Sequence, residues 1–168
     1  TILGRQPEDW DLTSNASRDI LEALFPHAAT VNKKLGVMRV SRGEITADIA
    51  AFRIDGKYTD YRRPETVIFT EDISEDLRRR DFTMNAVAVS LGRGVIDPYH
   101  GIEDIRQKII RGIGNPRLRF EEDALRILRA VRFAAQLDFE IEAGTLRAMQ
   151  ERAELLKHIS IERIREEF

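Results

Sequence analysis

Between Gly112 and Pro116 the apolar residues of this chain change period, and that change divides what it can fold into. Upstream, short β-branched or alternating runs near residues 10–13, 37–41, 45–53, 67–69, 85–91 and 109–111 predict strands. A helix from Ser17 to about Phe25 is predicted between the first two. Asp55-Gly56, Gly92-Arg93-Gly94 and Asp97-Pro98 supply the turns that separate these runs. Downstream of Pro116 the spacing becomes helical, over residues 119–137 and 144–157, with a third helix capped by Ser160. The fold class expected is α+β, a mixed sheet with flanking helices followed by an all-helical segment. No repeat, low-complexity tract or Gly/Ser/Pro-rich linker interrupts it.

Composition narrows the function classes. With 27 basic and 29 acidic residues the net charge is −2, so a polyanion site has to be local rather than a property of the whole surface. Cysteine is absent, which removes disulfides and thiolate metal sites. There is neither an apolar run near 18 residues nor a basic-then-apolar leader, and a soluble, cytoplasmic protein is expected, with no membrane partner.

Three groups of polar residues point to chemistry. In "EDWDLT", Asp9 and Asp11 lie two apart on an expected strand, so both carboxylates share a face and suit a hard, oxygen-seeking cation such as Mg²⁺. Alone, such a pair is also an ordinary solvated strand end. Asp48 strengthens it, because in "TADIAAFR" it stands among apolar neighbours where an ionised carboxylate is costly unless a cation or donor meets it. In "FEEDALRILRAVRFAA", Asp123, Arg126, Arg129 and Arg132 recur every three positions on a helix otherwise too apolar for a surface. Asp123 and Arg126 are expected to be helical neighbours, with Arg132 rotated well round. The competing reading is a set of internal ion pairs. Finally, "RRDFTMNA" carries Arg79, Arg80 and Asp81 into an apolar stretch, and an arginine fork there suits a phosphate or a neighbouring carboxylate. His27, His100 and His158 have no ligand spacing, and no P-loop or G-x-G-x-x-G is present.

Taken in order, "LGRQPEDWDLT", "DIAAFR", "RRDFTMNA", "DPYHGIEDI", "RFEEDALRILRAVRF" and "ISIERIREEF" closely resemble the bacterial tRNA nucleotidyltransferases, the class of CCA-adding enzymes and bacterial poly(A) polymerases. The resemblance implies a palm-like nucleotidyltransferase sheet over 1–112 and a helical neck over 113–168, each truncated at its outer end. It implies Mg²⁺ on Asp9 and Asp11, with Asp48 as third carboxylate. Arg80, Asp123, Arg126, Arg129 and Arg132 would bind the incoming nucleotide, CTP or ATP, for transfer to the 3′ end of tRNA. Asp123 and Arg126 would act as a protein template: a carboxylate accepts from the exocyclic amine of C or A, and a guanidinium donates to the ring acceptor beside it. "RIDGKYTDYRRP" resembles the loop retained by enzymes that add the terminal A. A poly(A) polymerase, an A-adding specialist and a non-catalytic RNA-binding relative are the alternatives. Family members also carry Gly-Gly and Arg-Asp pairs ahead of the point where this sequence starts, so a fragment is expected.

Overall fold

The computed structural model describes residues 2–4, 10–43, 45–58, 61 and 64–168, apart from the side chains of Arg42 and Ile45. Two compact units emerge, Leu3–Asp55 with Thr66–Asp76, and Gly56–Glu65 with Leu77–Phe168.

The first unit is built on a four-stranded sheet of order β1-β4-β3-β2, with β1 Leu12–Ser14, β2 Ala29–Asn32, β3 Val37–Arg42 and β4 Ile45–Ala51. β1 runs parallel to β4 and β3 antiparallel to it, so the sheet is mixed, as expected. Helix α1, Arg18–Leu24, forms where predicted because the Ser17 side chain accepts the Ile20 N–H. The period-two alternation divides the sheet. Met38 and Ala51 are buried with Leu21 of α1 and line a cavity of about 350 Å³. The other face carries Arg39, Ser41, Thr46 and Asp48, and there Ser41 and Thr46 hydrogen-bond across the ladder at 3.2 Å. A hairpin of β5 Arg53–Asp55 and β6 Val67–Phe69 completes the unit.

In the second unit, two segments without a clear period turn out to be ordered. α2, Ile73–Arg78, runs into it, and a 3₁₀ turn at Thr83–Asn85 follows. The strand expected over 85–91 shortens to β7 Ala88–Ser90, paired with β8 Gly94–Ile96. α3, Gly101–Gln107, starts where Asp97 accepts the Gly101 and Ile102 N–H groups at 2.6 and 2.9 Å. The helix expected over 119–137 is broken into α4, Pro116–Glu122, and α5, Leu125–Leu137. Asp123 at the break is extended and its Oδ1 accepts the Leu125 N–H at 3.1 Å, so a local side-chain bond replaces continuation of the helix. α6 spans Ala143–Arg152 and tightens into a 3₁₀ segment, Ala153–His158, before α7, Ile161–Glu167. Ser160 occupies the N-cap position of α7 but makes no side-chain cap bond. The segment is not entirely helical: β10, Glu140–Ile141, pairs in parallel with β9, Ile109–Ile110. Phe82, Ile110, Phe120, Ile127, Ala130, Phe139, Ala148 and Met149 form its core. Among the described residues no helix is long and apolar enough to cross a membrane.

One contact in this unit admits no side chain. A methyl group at Gly101 would sit 2.1 Å from the Thr83 carbonyl oxygen and 2.8 Å from Val87 Cγ2. Gly101→Ala is therefore expected to destabilise the protein by about 2–3 kcal/mol, as overpacking against backbone does, read as a fall in the denaturant midpoint.

Candidate functional site

The first cluster lies on the polar face of the sheet. Asp9 is outside the described residues. β1 begins at Leu12, so Asp11 precedes the strand instead of standing within it. The β1–β4 register pairs Leu12 with Ile49, and continued by one residue it sets Asp11 beside Asp48. Asp48 is opposed on its other side by Arg39, whose Nε and Nη2 donate to its two carboxylate oxygens at 2.7 and 2.8 Å. The expectation of a carboxylate in apolar surroundings is thus corrected. Alternation turns Asp48 away from Ala47 and Ile49 onto the polar face, where its side chain is 42% exposed. The Arg39 hydrogen bonds hold its carboxyl below the usual range despite the small opposing effect of burial, so it is ionised at neutral pH. Among the described residues, no group of three or more metal-binding side chains converges. Asp11, by continuation of the register, and Asp48 are carboxylates, the ligand type that a hard divalent cation prefers.

The second unit answers what "RRD" holds. The Arg78 and Arg79 carbonyls at the end of α2 accept from Arg119 at 3.1 Å and from Arg126 at 2.8 Å. The Arg80 N–H donates to the Leu77 carbonyl, and its side chain is half-buried. Asp81 is the anchor. Its buried carboxylate accepts from the Phe82 N–H at 2.8 Å, Asn85 Nδ2 at 2.9 Å and Arg129 Nε at 2.7 Å. Burial pushes the carboxyl up, but Arg129, Asn85 and the Phe82 amide together outweigh it, leaving it below the ordinary range. Arg129 is raised in turn: burial lowers it, and Asp81 and Glu167 more than compensate.

The stripe of four is dispersed by the helix break. Asp123 and Arg126 lie on opposite sides of it; the Arg126 N–H donates to the Asp123 carbonyl at 3.1 Å, while their side chains bond to other groups. Asp123 Oδ2 accepts from Arg163 Nη2 at 2.9 Å. Arg126, only 9% exposed, donates to Glu122 at 2.9 Å and to the Arg119 and Arg79 carbonyls. Arg129 reaches Glu167 at 3.4 Å as well as Asp81, and Arg132 reaches Glu167 at 2.7 Å. Both guanidinium groups lie over the Phe133 ring, at 5.1 and 4.5 Å from its centre. The ion-pair reading of the stripe therefore holds for each arginine. Arg39, Arg163 and Glu167 were not singled out from sequence. The four-residue spacing of Arg163 and Glu167 in "ISIERIREEF" marks them as one helical face, whereas nothing local reveals partners about forty residues away.

In the loop resembling that of A-adding enzymes, Tyr58 bridges to Pro64, while residues 59–60 and 62–63 lie outside the described set. Tyr61 stacks on His158 with ring centres 4.9 Å apart.

The Asp81 pairing predicts a pH signature. A carboxyl depressed on folding contributes stability that is complete above its unfolded value, near 3.8, and lost as pH falls through the lower folded value. Asp81→Asn leaves Arg129 without its nearest counter-charge and is expected to cost about 3 kcal/mol at pH 7. Melting curves from pH 7 to 2 should show a shallower acid limb for the variant; parallel curves would contradict the assignment.

Comparison with known proteins places these clusters in a family. The family described as "Poly A polymerase head domain" matches residues 1–111, and "Probable RNA and SrmB- binding site of polymerase A" matches residues 138–168. A CCA-adding enzyme of Lactobacillus helveticus is 44% identical over 167 residues, covering 99% of this chain and 42% of that protein. The crystal structure of the Bacillus stearothermophilus CCA-adding enzyme in complex with CTP superposes with a TM-score of 0.88 at 40% identity, over 99% of this chain and 40% of that one. The Thermotoga maritima CCA-adding enzyme complexed with tRNA_CCA gives a TM-score of 0.75 at 27% identity, over 99% of this chain and 38% of that one. The chain thus spans about two fifths of the length of these relatives. The resemblance drawn from the six motifs and the nucleotidyltransferase fold are both borne out, and the chain belongs to the poly(A) polymerase head-domain family.

Proposed function

We propose that this chain is the core of a template-independent RNA nucleotidyltransferase that adds C and A from CTP and ATP to the 3′ end of tRNA and releases pyrophosphate. The observation that carries the reading is the likeness, over 99% of the chain, to a CCA-adding enzyme solved with CTP. Residues 1–112 are the head and residues 113–168 the neck, a division supported by the head-domain match ending at 111. A cytoplasmic location belongs to the same reading.

The chemistry follows from the side chains. Asp9 and Asp11, with Asp48 as the third carboxylate, would hold Mg²⁺. When bound, the cation lowers the pKa of the attacking 3′-hydroxyl and neutralises charge on the leaving pyrophosphate. Arg39 keeps Asp48 ionised and fixes its plane. In the second unit, Asp123 accepts from the exocyclic amine of C or A and Arg126 donates to the neighbouring ring acceptor. U and G present an oxygen to Asp123 in place of the amine, and two acceptors facing each other are disfavoured. Arg80, Arg129 and Arg132 hold the triphosphate. The family description favours a poly(A) polymerase as the second reading. Incubating the intact protein with tRNA lacking its terminal CCA, and CTP or ATP alone, separates the two. A CCA-adding enzyme extends that substrate with CTP and needs the added C residues before ATP is used, whereas a poly(A) polymerase extends it with ATP at once.

Two predictions follow from these roles. Asp11→Ala and Asp48→Asn should each lower kcat by more than about 100-fold, since carboxylate ligands act on charge developing in the transition state. Because Asp48 and Arg39 form a solvent-exposed pair, which contributes little to stability, the melting temperature should stay close to that of the wild type. Wild-type turnover in either variant would remove that residue from the site. Asp123→Ala should reduce discrimination of C and A over U and G roughly tenfold to hundredfold, the worth of a hydrogen bond to a charged group. The measurement is kcat/KM for each of the four triphosphates, and unchanged preference would return Asp123 to a purely structural pairing.

A further inference from the structure

Asp48 is flanked on its sheet by two groups of opposite charge. On one side, across the antiparallel ladder of β3 and β4, stands Arg39. On the other, by continuation of the parallel register of β1 and β4, stands Asp11. Register partners share a face of the sheet, so Arg39, Asp48 and Asp11 form one row across three strands. Two carboxylates side by side in such a row repel each other, and a cation next to them relieves the repulsion. Within the chain, the cation that meets Asp48 is Arg39.

The form of that contact matters. Arg39 Nε donates to Oδ1 at 2.7 Å and Nη2 to Oδ2 at 2.8 Å, so one edge of the guanidinium spans the whole carboxylate. A hard divalent cation binds through the same oxygens, and the charge that makes Asp48 a ligand is the charge that Arg39 neutralises. The pair is also open to exchange. The Arg39 and Asp48 side chains are 51% and 42% exposed, so water can replace either partner at little cost. The Asp81–Arg129 pair, whose carboxylate is buried, could not be opened in this way.

We infer that Arg39 is a stand-in for the divalent cation: it holds Asp48 through both oxygens, offsets the repulsion from Asp11, and gives way when the cation binds, so that it sets how much cation the site requires. The inference rests on Asp48 being the third carboxylate of the proposed metal site. Arg39 fixes the carboxylate plane only while it is paired. A guanidinium that stayed on Asp48 would repel a doubly charged ion bound between Asp48 and Asp11. Removing Arg39 therefore strengthens cation binding. If orienting the carboxylate were its main contribution to the site, removal would weaken binding instead.

The test is direct titration of the intact protein with Mn²⁺ alone, which takes the same carboxylate ligands as Mg²⁺, with free Mn²⁺ read by electron paramagnetic resonance. The wild type is compared with Arg39→Ala, Arg39→Gln and Arg39→Lys, with Asp48→Asn as reference, and each is melted with and without Mn²⁺. Arg39→Ala and Arg39→Gln should bind Mn²⁺ roughly three- to tenfold more tightly, the effect of removing one positive charge beside a divalent ion near a protein surface. Mn²⁺ should also raise their melting temperature by more than it raises that of the wild type. Arg39→Lys keeps the charge and should stay close to the wild type. If the alanine variant does not fold, the glutamine variant, which keeps a polar side chain on the same face, carries the test. Unchanged or weaker Mn²⁺ binding on loss of Arg39, with weaker binding in Asp48→Asn, would overturn the inference and leave Asp48 in the metal site. An equal gain in Arg39→Lys and Arg39→Ala would also overturn it, because charge would then not be the cause. Wild-type binding in Asp48→Asn would remove Asp48 from the metal site, and the inference with it.

Discussion

Asp81 is a buried carboxylate that stays ionised, and the second unit is organised around the three donors that keep it so. The Phe82 N–H and Asn85 belong to the 3₁₀ turn that Asp81 precedes, whereas Arg129 comes from the middle of α5. One charge therefore fixes the turn and ties it to the helix. Replacing Asp81 by an apolar residue would bury Arg129 beside Phe133 without its nearest counter-charge, which costs more than the pair gains by forming. From Arg129 the network continues through Glu167 to Arg132, so α7 depends on the same charge.

The helix break does for position what Asp81 does for charge. An uninterrupted helix over residues 119–137 would set Asp123 and Arg126 as neighbours free to pair with each other. With the extended backbone at Asp123 the Arg126 N–H still donates to the Asp123 carbonyl, but the side chains are engaged elsewhere, Asp123 with Arg163 and Arg126 with Glu122 and two carbonyl groups. In the first unit the alternation of β4 plays the corresponding part. It turns Asp48 onto the polar face with Arg39 and, by the parallel register, beside Asp11.

Local rules made part of this legible. Ser17 marks the start of α1 because an N-cap is a contact within three residues, and β3, β4 and β6 stand where β-branched runs place them. α2 and α3 are too short for a period to show: Asp76 of α2 accepts the Arg53 N–H from far along the chain, and α3 is marked only by Asp97, four residues before its first N–H. The three-residue spacing of the charged stripe runs straight across the break at Asp123, so the pattern hid it; only the side-chain bond to Leu125 makes the interruption. Asp48 misled for the opposite reason. Its apolar neighbours in sequence point to the other face, and its true neighbour, Arg39, is set by strand pairing. The ordered series of motifs carried the family further than any single period did, whereas the long-range pairs from Arg163 and Glu167 have no local signature.

On the function proposed here, this chain selects a nucleotide with its own side chains, base by base. A crystal structure of the intact protein with CTP and Mg²⁺ tests it most directly. The cytosine amine is expected on the Asp123 carboxylate and its ring acceptor on Arg126, the phosphates on Arg129 and Arg132, and the cation on Asp9 and Asp11 with Asp48 as third carboxylate. Cytosine bound away from Asp123 and Arg126, with Arg126 still turned to Glu122 and no change in the stripe, would contradict it.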